Sequence, residues 1–396
     1  MDNLMAWLGR QTATQRRNLI VAVSVAAVVV LVLGLITRNA GATTTGDPAW
    51  LKVYFTNPNP PDQQSNGIDR YVVPKLNGAK KSIDLTSFDL NLPSVVNALV
   101  AAKGRGVVVR VVTDETNGSQ TLQATATNGL KSDFNALTVL GAAKIPVVDG
   151  GRSNGLMHDK LIIIDGTTLF MGSWNMSYND TFRNNNNLLE ITDGTLIKNY
   201  AGKFTELFVD KHFGTKAKVG AATTTLNPAG VAVQNYFSPS DRVIAKLVAQ
   251  VNGAKKSIKF MAFTYTQADL GNAMIAREKA GVTVQGVIEN RGASQGALPA
   301  LFCAKVAVET DGNKYTMHHK VIIIDDHLVI TGSFNFTQTA DQANDDNVLI
   351  IDNAAVAQQY EAEFTRIYGA GVKPTGLDCA TVPPLGKQPP PPDAGG

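Results

Sequence analysis

The sequence predicts an α/β protein made of two related halves, preceded by one membrane-crossing helix. Three observations predict it. The heptapeptide "NGAKKSI" stands at 77–83 and again, unchanged, at 252–258. In both halves, runs rich in Val and Ile alternate with amphipathic segments, the pattern of strands alternating with helices. Residues 18–36, "NLIVAVSVAAVVVLVLGLI", carry no charge.

The uncharged run comes first. Roughly 20 apolar residues cross a bilayer core as a helix, so residues 18–37 are long enough. Arg10, Arg16 and Arg17 precede the run and only Arg38 follows closely. The positive-inside rule then puts residues 1–17 in the cytoplasm and the rest of the chain outside. The expected location is the cell membrane, single-pass, with the globular part extracytoplasmic. The rival is secretion after cleavage near Ala40-Gly41-Ala42. The run exceeds the usual ~7–15-residue core of a signal peptide, which favours the anchor. Residues 38–50 read as a stalk.

The first repeat is placed at 51–215. It opens with a strand, "KVYFTNP", and a helix that ends in "NGAKKS". A strand "IDLTSF", a helix "LPSVVNALVAAKGRG" closed by glycine, and the strand "GVVVRVV" (106–112) follow. A hairpin and a last helix, "IKNYAGKFTELFVDKHF", complete it. The second repeat, 231–370, runs through "QNYFSPS", "IKFMAF", "ADLGNAMIAREKAG", "GVTVQGV", a hairpin and "AAVAQQYEAEFTRIY" in the same order. The register is 175 residues up to "GVTVQGV" (281–287) and 160 after it, where Met157 matches Met317 and Phe204 matches Phe364. The first repeat therefore carries 15 more residues between Thr113 and Pro146, and the polar stretch "DETNGSQTLQATATNG" reads as the loop that holds them. Residues 216–230 are a linker by composition. Residues 371–396 read as a Pro/Gly-rich tail, whose end, "GKQPPPPDAGG" (386–396), is expected to be disordered.

Composition sets further bounds. The chain has 396 residues, 44% hydrophobic, with a formal net charge of +3. Residues 1–50 hold four arginines and two aspartates, so the remainder carries +1. A nearly neutral body removes the bulk electrostatic case for a nucleic-acid binder and leaves room only for a local basic groove. Cys303 and Cys379 are the two cysteines. They are too few for a disulfide scaffold or a four-cysteine zinc site, and leave either one disulfide or two free thiols. No H-E-x-x-H or EF-hand spacing occurs, so neither a metal site nor a cofactor is expected.

The chemistry lies in the hairpins. "MHDKLIIIDG" (157–166) returns as "MHHKVIIIDD" (317–326), in a chain with five histidines. Side chains of a strand alternate between its faces. His158 and Lys160 therefore share one face, as do His318 and Lys320. Asp165 and Asp325 lie off that face, where turn formation and indirect support suit them. The returning strands bring Ser173 and Asn175, or Ser333 and Asn335, beside the same faces. An ammonium, an amide and a hydroxyl suit the non-bridging oxygens of a phosphodiester, and an imidazole serves as nucleophile, base or acid near neutrality. Two such sets facing each other can attack phosphorus from one side and protonate the departing oxygen from the other. His319 is out of phase and reads as structural. His212, on a helix, and His327, beside a turn, read as solvated.

The spacing H-x-K-x(4)-D-x(6)-G-S-x-N occurs in both repeats, and it resembles the HKD motifs of the phospholipase D superfamily. The wording "MHDK" and "TGSFNFT" (331–337) is similar to the bacterial phospholipase D-like and nuclease branch. The resemblance implies two α/β repeats packed face to face about a pseudo-twofold axis. It also implies a shared site, catalysis without metal, and a phosphohistidine intermediate. That branch places an acid eleven residues after the motif asparagine. Here Asp346, followed by Asn347, fits, whereas Asn186, followed by Asn187, does not. The expected activity is that of an anchored phosphodiesterase acting on phospholipid headgroups as a monomer. An anchored metal-independent nuclease and a non-catalytic phosphate-binding surface protein are the alternatives. His158 is expected to be the nucleophile, oriented by Asp346, and His318 the general acid.

Overall fold

The computed structural model describes residues 46–150 and 155–386. The membrane segment expected at 18–37, the cytoplasmic residues 1–17, most of the stalk and residues 387–396 lie outside the described residues. No helix among the described residues is long and apolar enough to cross a membrane.

The first repeat runs β1 (Leu51–Phe55), α1 (Asp69–Gly78), β2 (Ser82–Ser87), α2 (Pro93–Gly104), β3 (Val108–Asp114), α3 (Ala136–Ala142) and β4 (Val147–Gly150). It continues with β5 (Leu161–Ile164), β6 (Thr168–Gly172), α4 (Tyr178–Phe182), β7 (Asn187–Ile191) and α5 (Gly194–Thr205). A short strand β8 (Thr225–Leu226) leads into the second repeat. There β9 (Ala232–Ser238), α6 (Val243–Gly253), β10 (Ser257–Ala262), α7 (Ala268–Lys279), β11 (Thr283–Ile288), α8 (Leu298–Cys303) and β12 (Ala307–Thr310) come first. Then β13 (Lys320–Ile324), β14 (Leu328–Gly332), α9 (Gln338–Gln342), β15 (Asp346–Asp352) and α10 (Ala354–Tyr368) repeat the second part.

Among the described residues, one sheet has the order β1-β7-β6-β5-β2-β3-β4 and the other the equivalent order, β12-β11-β10-β13-β14-β15-β9, extended by β8. In both, three strands run parallel (β2-β3-β4; β10-β11-β12) and the rest pair antiparallel. The central strands β5 (LIII) and β13 (KVIII) are almost wholly apolar because both their faces are covered. On β5, Ile162 and Ile164 pack with α1, α2 and α3, while Leu161 and Ile163 face a central layer. That layer holds Tyr200 and Phe204 of α5, Tyr360 and Phe364 of α10, and Val321 and Ile323 of β13. The fold is thus a stack in which α5 and α10 lie between two sheets and the other long helices cover the outside.

Three expectations need correction. The stalk does not extend to residue 50, because Trp50 is buried in the central layer and its indole donates to the Pro228 carbonyl at 3.2 Å. Residues 216–230 are not only a linker, since β8 adds to the second sheet. Residues 371–386, placed outside the second repeat, are anchored to it at a few points. Val372 bridges to Thr310, Leu385 is buried against the outer face of the second repeat, and Cys379 is disulfide-bonded to Cys303. The surplus residues of the first repeat fall at 115–135, which carry a Leu122–Phe134 bridge and no helix or regular strand.

The disulfide closes a loop across 76 positions of sequence. Restricting the unfolded chain over such a loop is worth about 2–4 kcal/mol. Cys379→Ser, or mild reductant, therefore lowers the unfolding free energy from denaturant titration by an amount in that range; equal values for the variant and the oxidised protein would remove this role.

Candidate active site

His158 and Lys160 stand at the entry to β5, and His318 and Lys320 at the entry to β13. All four are buried (2, 1, 3 and 2% exposed). The Lys160 ammonium donates to the His158 carbonyl at 2.7 Å, and Lys320 to the His318 carbonyl at 2.9 Å. Neighbouring strands supply an aromatic wall. Phe88, just past β2, meets the His158 ring edge-on at 5.0 Å with the Lys160 ammonium 5.2 Å from its centroid. Phe263, just past β10, does the same for His318 and Lys320, both at 4.7 Å. These phenylalanines were not singled out from sequence, although both end their strands in the 175-residue register.

The repeats exchange backbone hydrogen bonds here. The His158 N–H donates to Asp345 O at 3.0 Å, and the His318 N–H to Asn185 O at 2.9 Å. Each histidine is therefore fixed by the opposite repeat, and its ring is too. His158 Nδ1 lies 2.6 Å from Asp346 Oδ1, which also accepts from Ser333 Oγ at 2.6 Å. His318 Nδ1 lies 2.9 Å from Asn186 Oδ1, which accepts from Ser173 Oγ at 2.8 Å. The Asn186 amide is oriented unambiguously, since its Nδ2 donates to the Asp180 carbonyl. Both imidazoles thus carry the proton on Nδ1 and leave Nε2 as a free base.

The serines differ from the sequence expectation. Each hydroxyl has one proton and gives it to the group that orients the opposite histidine, so it is not available to a phosphate oxygen. The motif asparagines are better placed for that task. Asn175 accepts only weakly, from the Asp89 N–H at 3.4 Å, and its Nδ2 donates to no protein group among the described residues. Asn335 Oδ1 is buried without a partner. Asp165 and Asp325 lie away from the site. Each is a left-handed turn residue whose carboxylate accepts the N–H groups of the repeated "KKS": Lys80, Lys81 and Ser82, or Lys255, Lys256 and Ser257. These bonds and the charge of Lys81 outweigh burial and hold the Asp165 carboxyl below its usual range.

Asn187 and Asn347 support the central layer. Asn187 Nδ2 donates to Thr331 and Tyr360, and its Oδ1 faces His319 Nδ1 at 3.2 Å. Asn347 Nδ2 donates to Asp159 Oδ1 at 2.7 Å. His319 is fully buried against Glu363, which fits a structural residue. His327 is exposed beside Asp352, and His212 follows the helical turn rather than lying on a helix.

The charges favour an anion. Burial lowers the Lys160 ammonium to about 8, with Asp346 and Asp180 opposing it. Burial and the facing Lys160 push Lys320 well below its usual value. Burial, Lys320 and Lys160 likewise depress His318 strongly. Burial and Lys160 depress His158, with Asp346 opposing them. Asp346 itself stays below the usual carboxylate range, because His158, Lys160 and Ser333 overcome its burial. Two buried lysines and two proton-poor imidazoles, with Asp346 and Asp180 opposing them, make a cluster that added negative charge would stabilise. Among the described residues no group of three His, Cys, Asp or Glu side chains is placed to hold a metal ion.

A family model described as cardiolipin synthase, PLD-like domain, matches residues 72–208 and 247–368. Mitochondrial cardiolipin hydrolase of Xenopus laevis is 32% identical over 131 residues, covering 33% of this chain and 62% of that protein. Phospholipase D of Rickettsia conorii is 35% identical over 130 residues, covering 32% of this chain and 65% of that protein. The chain thus spans less than two thirds of the length of these two relatives. Among solved structures, phosphatidylserine synthase of Haemophilus influenzae has a TM-score of 0.62 at 13% identity, covering 81% of this chain and 86% of that one, a likeness of fold.

Proposed function

Because the chain belongs to the phospholipase D superfamily, we propose that it is a phosphodiesterase that cleaves phospholipid headgroups through a phosphohistidine, held at the membrane by residues 18–37 with the site outside the cytoplasm. The observation that carries this reading is the pair of histidines fixed by opposite repeats, each with Nε2 free beside a buried lysine. Binding one phosphate needs neither the second imidazole nor its elaborate orientation.

His158 Nε2 bonds to phosphorus, and the bond from phosphorus to the leaving alcohol oxygen breaks. His318, protonated on Nε2, gives its proton to that oxygen. Water then loses a proton to His318 and its oxygen displaces His158, regenerating both residues. Lys160, Lys320, Asn175 and Asn335 hold the non-bridging oxygens, where charge builds. Substrate anion also supplies the negative charge that lets His318 hold its proton. Division into two displacements is the usual benefit of covalent catalysis.

A lipid substrate is supported by the names of the relatives and by the near-neutral body. The disulfide supports an oxidising, extracytoplasmic location. The test offers the purified full chain vesicles of phosphatidylcholine or cardiolipin and, separately, plasmid DNA, each with EDTA. Release of headgroup or phosphatidic acid, undiminished by the chelator, is the expected result. Nicking of plasmid without lipid turnover would replace the lipid reading by the nuclease one, and no turnover of either would leave a phosphate-binding protein. Loss of activity with EDTA, restored by a divalent cation, would contradict the metal-free step.

A further inference from the structure

The two repeats do not treat their histidines alike. At the position that orients the opposite ring, one has Asp346 and the other Asn186. Six residues earlier the difference is reversed. The first repeat has Asp180, and the 160-residue register puts Ala340 at the same place in the second. Both are buried. The Asp180 carboxylate lies 3.5 Å from His318 Nδ1. It is held there by the Asn175 N–H at 2.8 Å and the Asn184 amide at 2.6 Å, and its own carbonyl fixes Asn186. Its negative charge is felt by both Lys160 and Lys320.

We infer that Asp180 is the positioning carboxylate of His318, set six residues back along the chain to replace the acid missing at residue 186. The inference rests on the proposed phosphodiesterase reading for its kinetic consequence only. The groups facing His318 are otherwise cationic or neutral. Lys320 and His319 come from its own strand, Lys160 and His158 from β5 and its approach, and Asn186 from the segment before β7. Phe263 closes the side toward β10. Glu289, past β11, binds the Met317 N–H and bears on Lys320, and Asp89, next to Asp180, is itself raised to about 7, chiefly by burial and then by Asp180. Asp180 is the carboxylate that lies within ion-pair distance of the His318 ring, and without it the ring would keep a neutral amide, Asn186, and the charges of Lys160 and Lys320.

A general acid works protonated, so turnover of an alkyl diester falls as pH rises through the His318 value in the complex. A carboxylate at this range raises that value by about one unit or more. Asp180→Asn should therefore move the alkaline limb of kcat, which reports groups in the enzyme–substrate complex, to lower pH by about one unit, and Asn186→Asp should move it higher. Asp180→Ala combined with Asn186→Asp reproduces the arrangement of the second repeat and should restore the limb. A nitrophenyl diester, whose leaving group needs no proton, should show none of these shifts. Thermal midpoints separate loss of fold from loss of charge. An unmoved limb in Asp180→Asn, or equal shifts with both substrates, overturns the inference. Histidine-labelled protein with inorganic phosphate gives a readout independent of turnover. The His318 ring signals should change in Asp180→Asn and return in the double variant; unchanged signals refute the contact even if the phosphodiesterase reading fails on its own.

Discussion

His158→Ala and His318→Ala should each lower phosphodiester turnover about 10³-fold or more, and the double variant should be little worse than either single one. The two rings act on one phosphorus in consecutive half-steps, so removing either stops the same cycle, and effects within such a unit are far from additive. Their structural consequences should differ. His158→Ala strands Asp346, a fully buried carboxylate whose Oδ1 would keep only Ser333 and whose Oδ2 already has no partner. An uncompensated buried charge costs about 3–5 kcal/mol. His318→Ala removes the ring from Asn186, a neutral amide that keeps Ser173. Denaturant midpoints should therefore rank wild type, then His318→Ala, then His158→Ala. His158→Asn, which retains a donor toward Asp346, should recover stability without recovering turnover. Near-wild-type activity in either alanine variant would end the shared-site model, and equal midpoints would remove the charge asymmetry from the account.

That asymmetry was half legible in the sequence. The repeat and the strand phase located His158, Lys160, His318 and Lys320, because strand periodicity alone decides which side chains share a face. The departure at Asn186 was visible for the same reason. The contact from Asp346 to His158 lies 188 positions away in sequence and depends on how two repeats dock, which no local pattern encodes. Asp180 escaped notice because it stands on a five-residue helix outside the motif, opposite an alanine. The central layer was equally silent. Lys203 lies between Asp345 at 2.9 Å and Glu206 at 3.1 Å, while the matching positions of the second repeat hold Glu363 and Arg366, an ion pair of reversed sign. Asp159 opposite His319 inverts in the same sense. No local pattern marks Lys203 of α5 or Glu363 of α10 as buried. Their burial follows from both helices lying between sheets, where each ion is paired because an unpaired one would be untenable.

Rapid quench of the enzyme with substrate should trap a phosphoryl or phosphatidyl adduct on His158 and none on His318. The argument is electrostatic. Attack through Nε2 leaves His158 with a proton on Nδ1 and a substituent on Nε2, a cationic imidazolium. Asp346, 2.6 Å away and held ionised by His158, Lys160 and Ser333 despite its burial, stabilises that cation at the atom where the proton sits. His318 has an amide in the corresponding place and a carboxylate only at 3.5 Å, so a covalent cation there would be less well compensated. Its lowered affinity for protons fits a group that must release one readily to the departing alkoxide. The two roles separate kinetically. With a nitrophenyl phosphodiester, His318→Ala should still form the adduct and show a burst, then stall because no base activates water, whereas His158→Ala should show none. Asp346→Asn should slow adduct formation with both leaving groups alike, since the charge it opposes is on the nucleophile. An adduct mapped to His318, or a burst in His158→Ala and not in His318→Ala, would exchange the two assignments and make Asp346 the partner of the acid.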